Sequence, residues 1–282
     1  SALAAAGMFS LNRLVWNYSI QGEVFAMNNM FLAALFCALV EFARSRARSV
    51  ALTGAFLSGL ALTNQHTSVF YVAPVVVYVL LCDHGRLLRP AALLQLTVCF
   101  LCGLLPYAYL PIASLRGLPG SWGDTASFDG FLTHLLRREY GTLRLFSGNN
   151  AEDTPLLTGL ALYAASFFRE SGLLGATGYA AGAWVALLER GWVGQAAKLV
   201  LFNHVFYTVV FHKMANLPLQ DELYVGVHSR FWMQSDLAAC LIAALGLSRG
   251  VRAARGVVRA RTKATWGPKH LPLHTAVLAV GL

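Results

Sequence analysis

Apolar residues along this chain fall in blocks, and short polar strings part the blocks. The blocks cover about 24–42, 50–66, 68–82, 91–110, 171–188, 199–212 and 231–247. A membrane helix needs about 20 predominantly apolar residues, with some latitude. Each block is therefore expected to span a bilayer. Segments of about 1–16 and 271–282 read as two further spans, cut short at the ends of the chain. Two apolar stretches stand apart. Residues 155–168 are too few for a span and are expected to form an interfacial or re-entrant piece. In the long loop 111–154, Phe128, Phe131, Leu132, Leu135 and Leu136 recur at helical spacing. That pattern predicts an amphipathic helix over about 127–139 lying in the headgroup plane. The fold class is all-α: one polytopic membrane bundle.

Composition supports a membrane protein. Of 282 residues, 57% are hydrophobic and 12% charged, against about 25% charged in a soluble domain. So few charges cannot cover a globule of this size. The five cysteines all lie in or at the ends of apolar runs. They read as small apolar packing groups, the Cys99/Cys102 pair included.

The formal net charge of +9 acquires meaning from its distribution. Arg44, Arg46 and Arg48 share one connection, Arg86 and Arg89 a second, Arg190 and Lys198 a third. Six more basic residues fall between Arg249 and Lys263. Basic residues prefer the cytoplasmic side, and these connections alternate correctly if every block crosses. The charge is thus a topology signal with some attraction to anionic lipid, and no nucleic-acid partner is expected. On the opposite face lie Asn17–Asn29, the tip Asn64-Gln65-His66-Thr67, the 111–154 loop and residues 212–234. Four chain-distant polar stretches on one face can form a site at the membrane boundary. They can also be four ordinary solvated loops.

Several side chains on that face are candidates. Arg230 precedes a span on the side where arginine is disfavoured. It can draw an anion to a helix start or snorkel beside Trp232. Glu23 is a boundary carboxylate on the same side. Trp122 and Asp124 suit sugar contact, though a Gly-Asp turn would look the same. Arg137 or Arg138 can meet phosphate or lipid headgroups. "NYS" at 17–19 is a glycosylation sequon close to the membrane. No phosphate-binding loop, HExxH, G-x-S-x-G or metal-spaced His/Cys cluster is present.

The strings "WNYSIQGEVFAMNNMF", "LALTNQHT", "GLLPYAYLPIAS", "WGDTASFDGFLTHLLRREYGT", "ANL" and "RFWMQS" occur in this order. Together they resemble the transmembrane-protein-260 family of endoplasmic-reticulum protein O-mannosyltransferases, over most of residues 11–247. The resemblance implies a glycosyltransferase-C type helical bundle with its site on the luminal face. It implies dolichyl-phosphate mannose as donor substrate, and Ser or Thr of a luminal protein domain as acceptor. No cofactor or metal is implied. Shared sidedness together with the resemblance points to Asn64, Gln65, His66, Arg230 and Gln234 as lining the donor pocket, with Glu23, Asn28, Trp122 and Asp124 as second choices. His66 and Arg230 would meet phosphate. The family's acidic first-loop string of the "GDSGEL" type has no counterpart here, so the catalytic base is not assigned. The chain is expected to be a fragment. A non-catalytic membrane subunit of the same fold is the first alternative. A transporter is the second, which the absence of an internal repeat disfavours.

Overall fold

The computed structural model describes residues 2–118, 123–136, 138, 154–215 and 217–265. In chain order the helices are α1 Ala2–Ser10, α2 Arg13–Ser19, α3 Phe25–Ser45, α4 Arg48–Asn64, α5 Val69–Cys82, α6 His84–Leu87 and α7 Pro90–Gly103. Then follow α8 Tyr109–Leu115, α9 Phe128–Leu135, α10 Leu156–Leu188, α11 Gly191–Met214, α12 Glu222–Ser229 and α13 Trp232–Thr265. Among the described residues there is no strand. The protein is an all-α, polytopic membrane bundle.

Among the described residues, three helices are long and apolar enough to cross a bilayer on their own: α3, α10 and α13 through Arg259. A fourth span is available if α7 and the 105–115 segment count as one path bent by 48°. The other expected spans are shorter or more polar. α4 has 17 residues. α11 runs through 191–214 rather than 199–212 and buries Asn203, His204 and Thr208. Those polar groups are tolerable because α11 sits inside the bundle, between α3, α5, α10 and α13. Its Asn203 amide donates to the Leu199 carbonyl at 2.9 Å.

The core forms where α3, α5, α11 and α13 meet. Leu35, Leu39, Tyr71, Val75, Tyr207 and Ile242 are among its members. Tyr71 and Tyr207 stack with ring centroids 4.4 Å apart. Glycines permit two backbone contacts. A Cβ on Gly59 of α4 would collide with the Phe100 carbonyl of α7, and one on Gly182 of α10 with the Ile242 carbonyl of α13. Small residues at crossings are how membrane helices approach closely.

Three sequence expectations change shape. The 155–168 piece and the 171–188 block form one helical run, α10, broken at Gly172 (φ 62°, ψ −168°). Only glycine holds that conformation readily. The segment about 1–16 is two helices with an elbow at Leu11–Asn12. The basic stretch after Arg249 is no loop; α13 continues through it to Thr265, with residues 251–259 exposed. Alanine- and arginine-rich sequence favours that state. The helix expected over about 127–139 is α9, capped by Ser127, whose hydroxyl accepts from Gly130 N–H. The 271–282 segment, and Arg137 and Glu139, lie outside the described residues.

The two ends of the bundle differ in chemistry. At one end Arg46 bonds Gln195, and Tyr78 reaches the same amide at 3.3 Å. Glu189 pairs with Arg249 there. That joins the α3–α4 turn, the foot of α5, the α10–α11 turn and the middle of α13. Arg46 adopts left-handed backbone (φ 53°), a strained choice for a side chain with a Cβ. Its guanidinium lies over Phe42 and Tyr78, 5.4 and 5.9 Å from the ring centroids. The α4–α5 turn, the start of α3, α9 and the start of α13 meet at the other end.

Candidate functional site

The hairpin tip lies at that second end, and its polar side chains brace neighbouring segments. The Asn64 amide donates to the Val24 carbonyl at 3.0 Å. His66 Nε2 lies 2.9 Å from the Leu135 carbonyl of α9, so it carries the proton and donates. The Tyr107 hydroxyl stands 3.3 Å from the same nitrogen and donates to the Leu62 carbonyl. Ser68 donates to Asn28 Oδ1 at 2.6 Å. Gln65 is buried in extended backbone, and its Oε1 has no partner among the described residues. A tight turn thus ties α3, the bent 105–115 segment and α9 together.

Arg230 does not stand free. Its Nη1 lies 3.1 and 3.2 Å from the two oxygens of Glu23. Its guanidinium carbon sits 5.4 Å from the Tyr18 ring centroid. Glu23 neighbours Val24, so the Asn64 bond and the Glu23–Arg230 pair share one patch. Two other expected pocket residues are sealed inside. Gln234 has no exposed surface; it accepts from the Tyr207 hydroxyl at 3.2 Å and donates to Asn29 at 3.4 Å. Asn28 is occupied by Ser68. Asp124 accepts from Ser127 at 3.1 Å in the turn before α9. Trp122 lies outside the described residues. The structure therefore gathers Glu23, Asn64 and Arg230, joins His66 to α9, and keeps Asn28 and Gln234 in the core.

A second polar group escaped the sequence reading. Asp236 is buried one turn into α13, and Asn12 donates to its Oδ2 at 2.9 Å. The Asn12 side-chain Oδ1 meanwhile caps α2 by accepting from Val15 N–H at 3.2 Å. Next to it, the Arg13 backbone N–H donates to Glu170 Oε2 at 2.9 Å. The α1–α2 elbow is thereby pinned to α13 on one side and to α10 on the other. Further along, His212 donates from Nδ1 to the Thr208 carbonyl at 2.6 Å and accepts from Trp232 Nε1 at 3.1 Å. Those two bonds need a neutral imidazole. His228 packs against it, ring centroids 4.7 Å apart. Burial pushes His228 from its ordinary 6.5 down to about 3. Asp236 carried a legible signal, an ionisable residue inside an apolar block; Asn12 carried none.

Between these tethers lies a cleft of ≈ 840 Å³, walled by the elbow, the last turn of α10 before Gly172, α12 and Trp232. Arg13, Arg169 and Glu170 face into it together with Ser10, Asn17 and Ser229. Among the described residues, no group of three or more His, Cys, Asp or Glu is placed to hold a metal.

Comparison with known proteins decides the family. The profile described as the protein O-mannosyl-transferase TMEM260 N-terminal domain matches residues 1–88. The protein O-mannosyl-transferase TMEM260 of Mus musculus is 36% identical over 262 residues, covering 87% of this chain and 36% of the mouse protein. That of Dictyostelium discoideum is 34% identical over 265 residues, again 87% of this chain and 32% of the relative. The chain belongs to the TMEM260 family. It spans about a third of the length of these TMEM260 relatives. The matched TMEM260 domain takes in the elbow, Glu23 and the hairpin tip, while Arg169, Arg230 and Asp236 lie beyond residue 88. No solved structure matches the chain.

Proposed function

We propose that this chain is part of a membrane protein O-mannosyltransferase that moves mannose from dolichyl-phosphate mannose to Ser or Thr of a luminal protein domain. The observation that carries the reading is the similarity of 87% of the chain to relatives named protein O-mannosyl-transferase. The segregation of the two bundle ends supports it. Basic residues favour the cytoplasm, which assigns the Arg46–Gln195 end there. The hairpin tip, α9 and the start of α13 then face the lumen of the endoplasmic reticulum, as a glycosyltransferase-C type arrangement requires.

In this reading the acceptor hydroxyl oxygen bonds to the anomeric carbon as the bond from that carbon to the phosphate oxygen breaks. The hydroxyl proton goes to a general base, and dolichyl phosphate departs with the bonding pair, stabilised by fixed cations. Asn64, Gln65 and His66 brace the site from the hairpin side. Glu23 and Arg230 close it as a mutually neutralised pair, and Asp124 stands on the loop that approaches it. The base is not assigned to any of these residues.

The test is mannose transfer by the full-length protein, purified and supplied with labelled dolichyl-phosphate mannose and a folded acceptor domain. Label on acceptor Ser or Thr is expected. Intact protein that binds the donor yet leaves every acceptor unlabelled would make it a non-catalytic subunit of the same fold.

A further inference from the structure

We propose that the cleft at the α1–α2 elbow binds the phosphate of a lipid-linked sugar, with Arg13 and Arg169 as its two cations. The proposal rests on the transferase reading and deepens it, for it moves the phosphate away from Arg230. Arg230 Nη1 already faces both oxygens of Glu23, at 3.1 and 3.2 Å, so its charge is compensated even though its Nε has no partner among the described residues. The charge of Arg13 is not. Its backbone N–H is tied to Glu170, while its guanidinium has no carboxylate partner among the described residues. Arg169 lies 3.9 Å from Glu170 and 3.5 Å from the Ser166 hydroxyl, both long contacts.

The charge of the cleft follows. Two arginines less one carboxylate leave one uncompensated positive charge, and a sugar phosphodiester carries one negative charge. Serine hydroxyls from three walls, Ser10, Ser166 and Ser229, add neutral hydrogen-bonding groups suited to phosphate and sugar oxygens. Arginine is disfavoured on the non-cytoplasmic side of a membrane protein, and two arginines in one cleft there call for a ligand. Size agrees as well. A cavity of ≈ 840 Å³ is within the roughly 300–1,000 Å³ of small-ligand sites. That suits a sugar-phosphate headgroup and not a protein domain.

The rim favours a lipid-borne phosphate over a free one. Leu11 and Trp16 line the cleft and are 84% and 64% exposed. On a membrane bundle such surface meets hydrocarbon, and tryptophan prefers the interface. A polyprenyl tail can stay in the bilayer while its headgroup enters between Arg13 and Arg169. The walls are preset by three bonds: Asn12 to Asp236, Arg13 N–H to Glu170, and the Tyr18 hydroxyl to the Gly226 carbonyl at 3.3 Å. A preorganised site loses little freedom on binding.

The experiment uses the full-length protein in phosphatidylcholine nanodiscs. Binding of short-chain dolichyl phosphate is compared with that of dolichol of the same length, by native mass spectrometry. The phosphate form is expected to bind at least about tenfold more tightly, as charge-assisted hydrogen bonds warrant. The double variant R13Q/R169Q should lose that preference, and R13K/R169K, which keeps the charges, should retain most of it. A purely structural role for these side chains would not separate the two variants. Equal binding of dolichyl phosphate by the wild type and a folded R13Q/R169Q overturns the proposal. So does equal competition by phosphatidylglycerol, which would make the cleft a general headgroup site. Mannose transfer is read in parallel. Wild-type transfer by R13Q/R169Q sinks the cleft and leaves the transferase standing. Preferential phosphate binding without any transfer keeps the cleft and sinks the transferase.

Discussion

Arg230 and Arg13 stand at the same end of one bundle with the same charge, yet their surroundings give them different work. Arg230 is closed by Glu23 and Tyr18 beside the hairpin tip. Arg13 opens into the elbow cleft, held only through its backbone. The tip region is a brace: Asn64, His66 and Ser68 find protein partners across α3, α9 and the 105–115 segment, while Gln65 Oε1 and Thr67 Oγ1 have none among the described residues. The elbow region is a frame around a space. A conspicuous polar string, then, is no guide to where a ligand goes. What matters is which charges the fold leaves uncompensated.

The comparison breaks first at Asn12. Asn12→Ala removes the donor to the buried Asp236 carboxylate and the cap of α2. A loss of about 2–4 kcal/mol is expected, seen as a drop of several degrees in the thermal midpoint. An unchanged midpoint would mean that the elbow is not pinned, and the cleft would lose its frame. Asp236→Asn, which keeps an oxygen acceptor, is expected to be milder.

His228 tests the ground between the two regions. Its value of about 3 in the fold lies below its ordinary 6.5, so the folded state holds the ring neutral. The stability it contributes is complete above about pH 6.5 and is lost as pH falls towards 3. From pH 7 to pH 5 the loss is about 2 kcal/mol. His228→Phe fills the same apolar site and should flatten this dependence. A variant with the wild-type pH profile would remove His228 from the account.

The tip comes next in size. His66→Ala deletes the bond to the Leu135 carbonyl and should cost about 1 kcal/mol, with faster amide exchange in α9. Smallest is Glu23→Gln. Both partners of this pair are about one-third exposed, so solvent screening limits the change in stability to under about 1 kcal/mol. Its use is to sharpen the contrast, since it uncovers Arg230. If the elbow holds the phosphate, Glu23→Gln leaves dolichyl phosphate affinity within about twofold, far less than a lost charge-assisted contact. A tenfold gain would move the phosphate back to Arg230.

Much of the fold was legible because membranes impose long periods on sequence. The 24–42 block became α3, the phenylalanine and leucine spacing after Ser127 became α9, and the arginine strings marked one end of the bundle. The break in α10 was hidden because Gly172 is one of several glycines in that block, and nothing local singles out the residue that adopts positive φ. The site was legible in its parts and not in its pairings. Glu23 and Arg230 each stood out, but they meet across 207 positions. Asn12 and Asp236 meet across 224, and Asn12 looks like an ordinary loop amide. Gln234 was misleading in the other direction, a polar residue near a span end that packing draws fully inside.

The central claim is that the hairpin tip and the elbow cleft open on the lumen, opposite the arginine-bearing turns. Glycan mapping in sealed endoplasmic-reticulum microsomes tests it most directly. An N-glycosylation acceptor flanked by flexible linkers is inserted after Leu219 in one version of the full-length protein and after Leu88 in another. The account predicts a glycan on the Leu219 insertion and none on the Leu88 insertion. A glycan on the Leu88 insertion, with the Leu219 insertion bare, would contradict it.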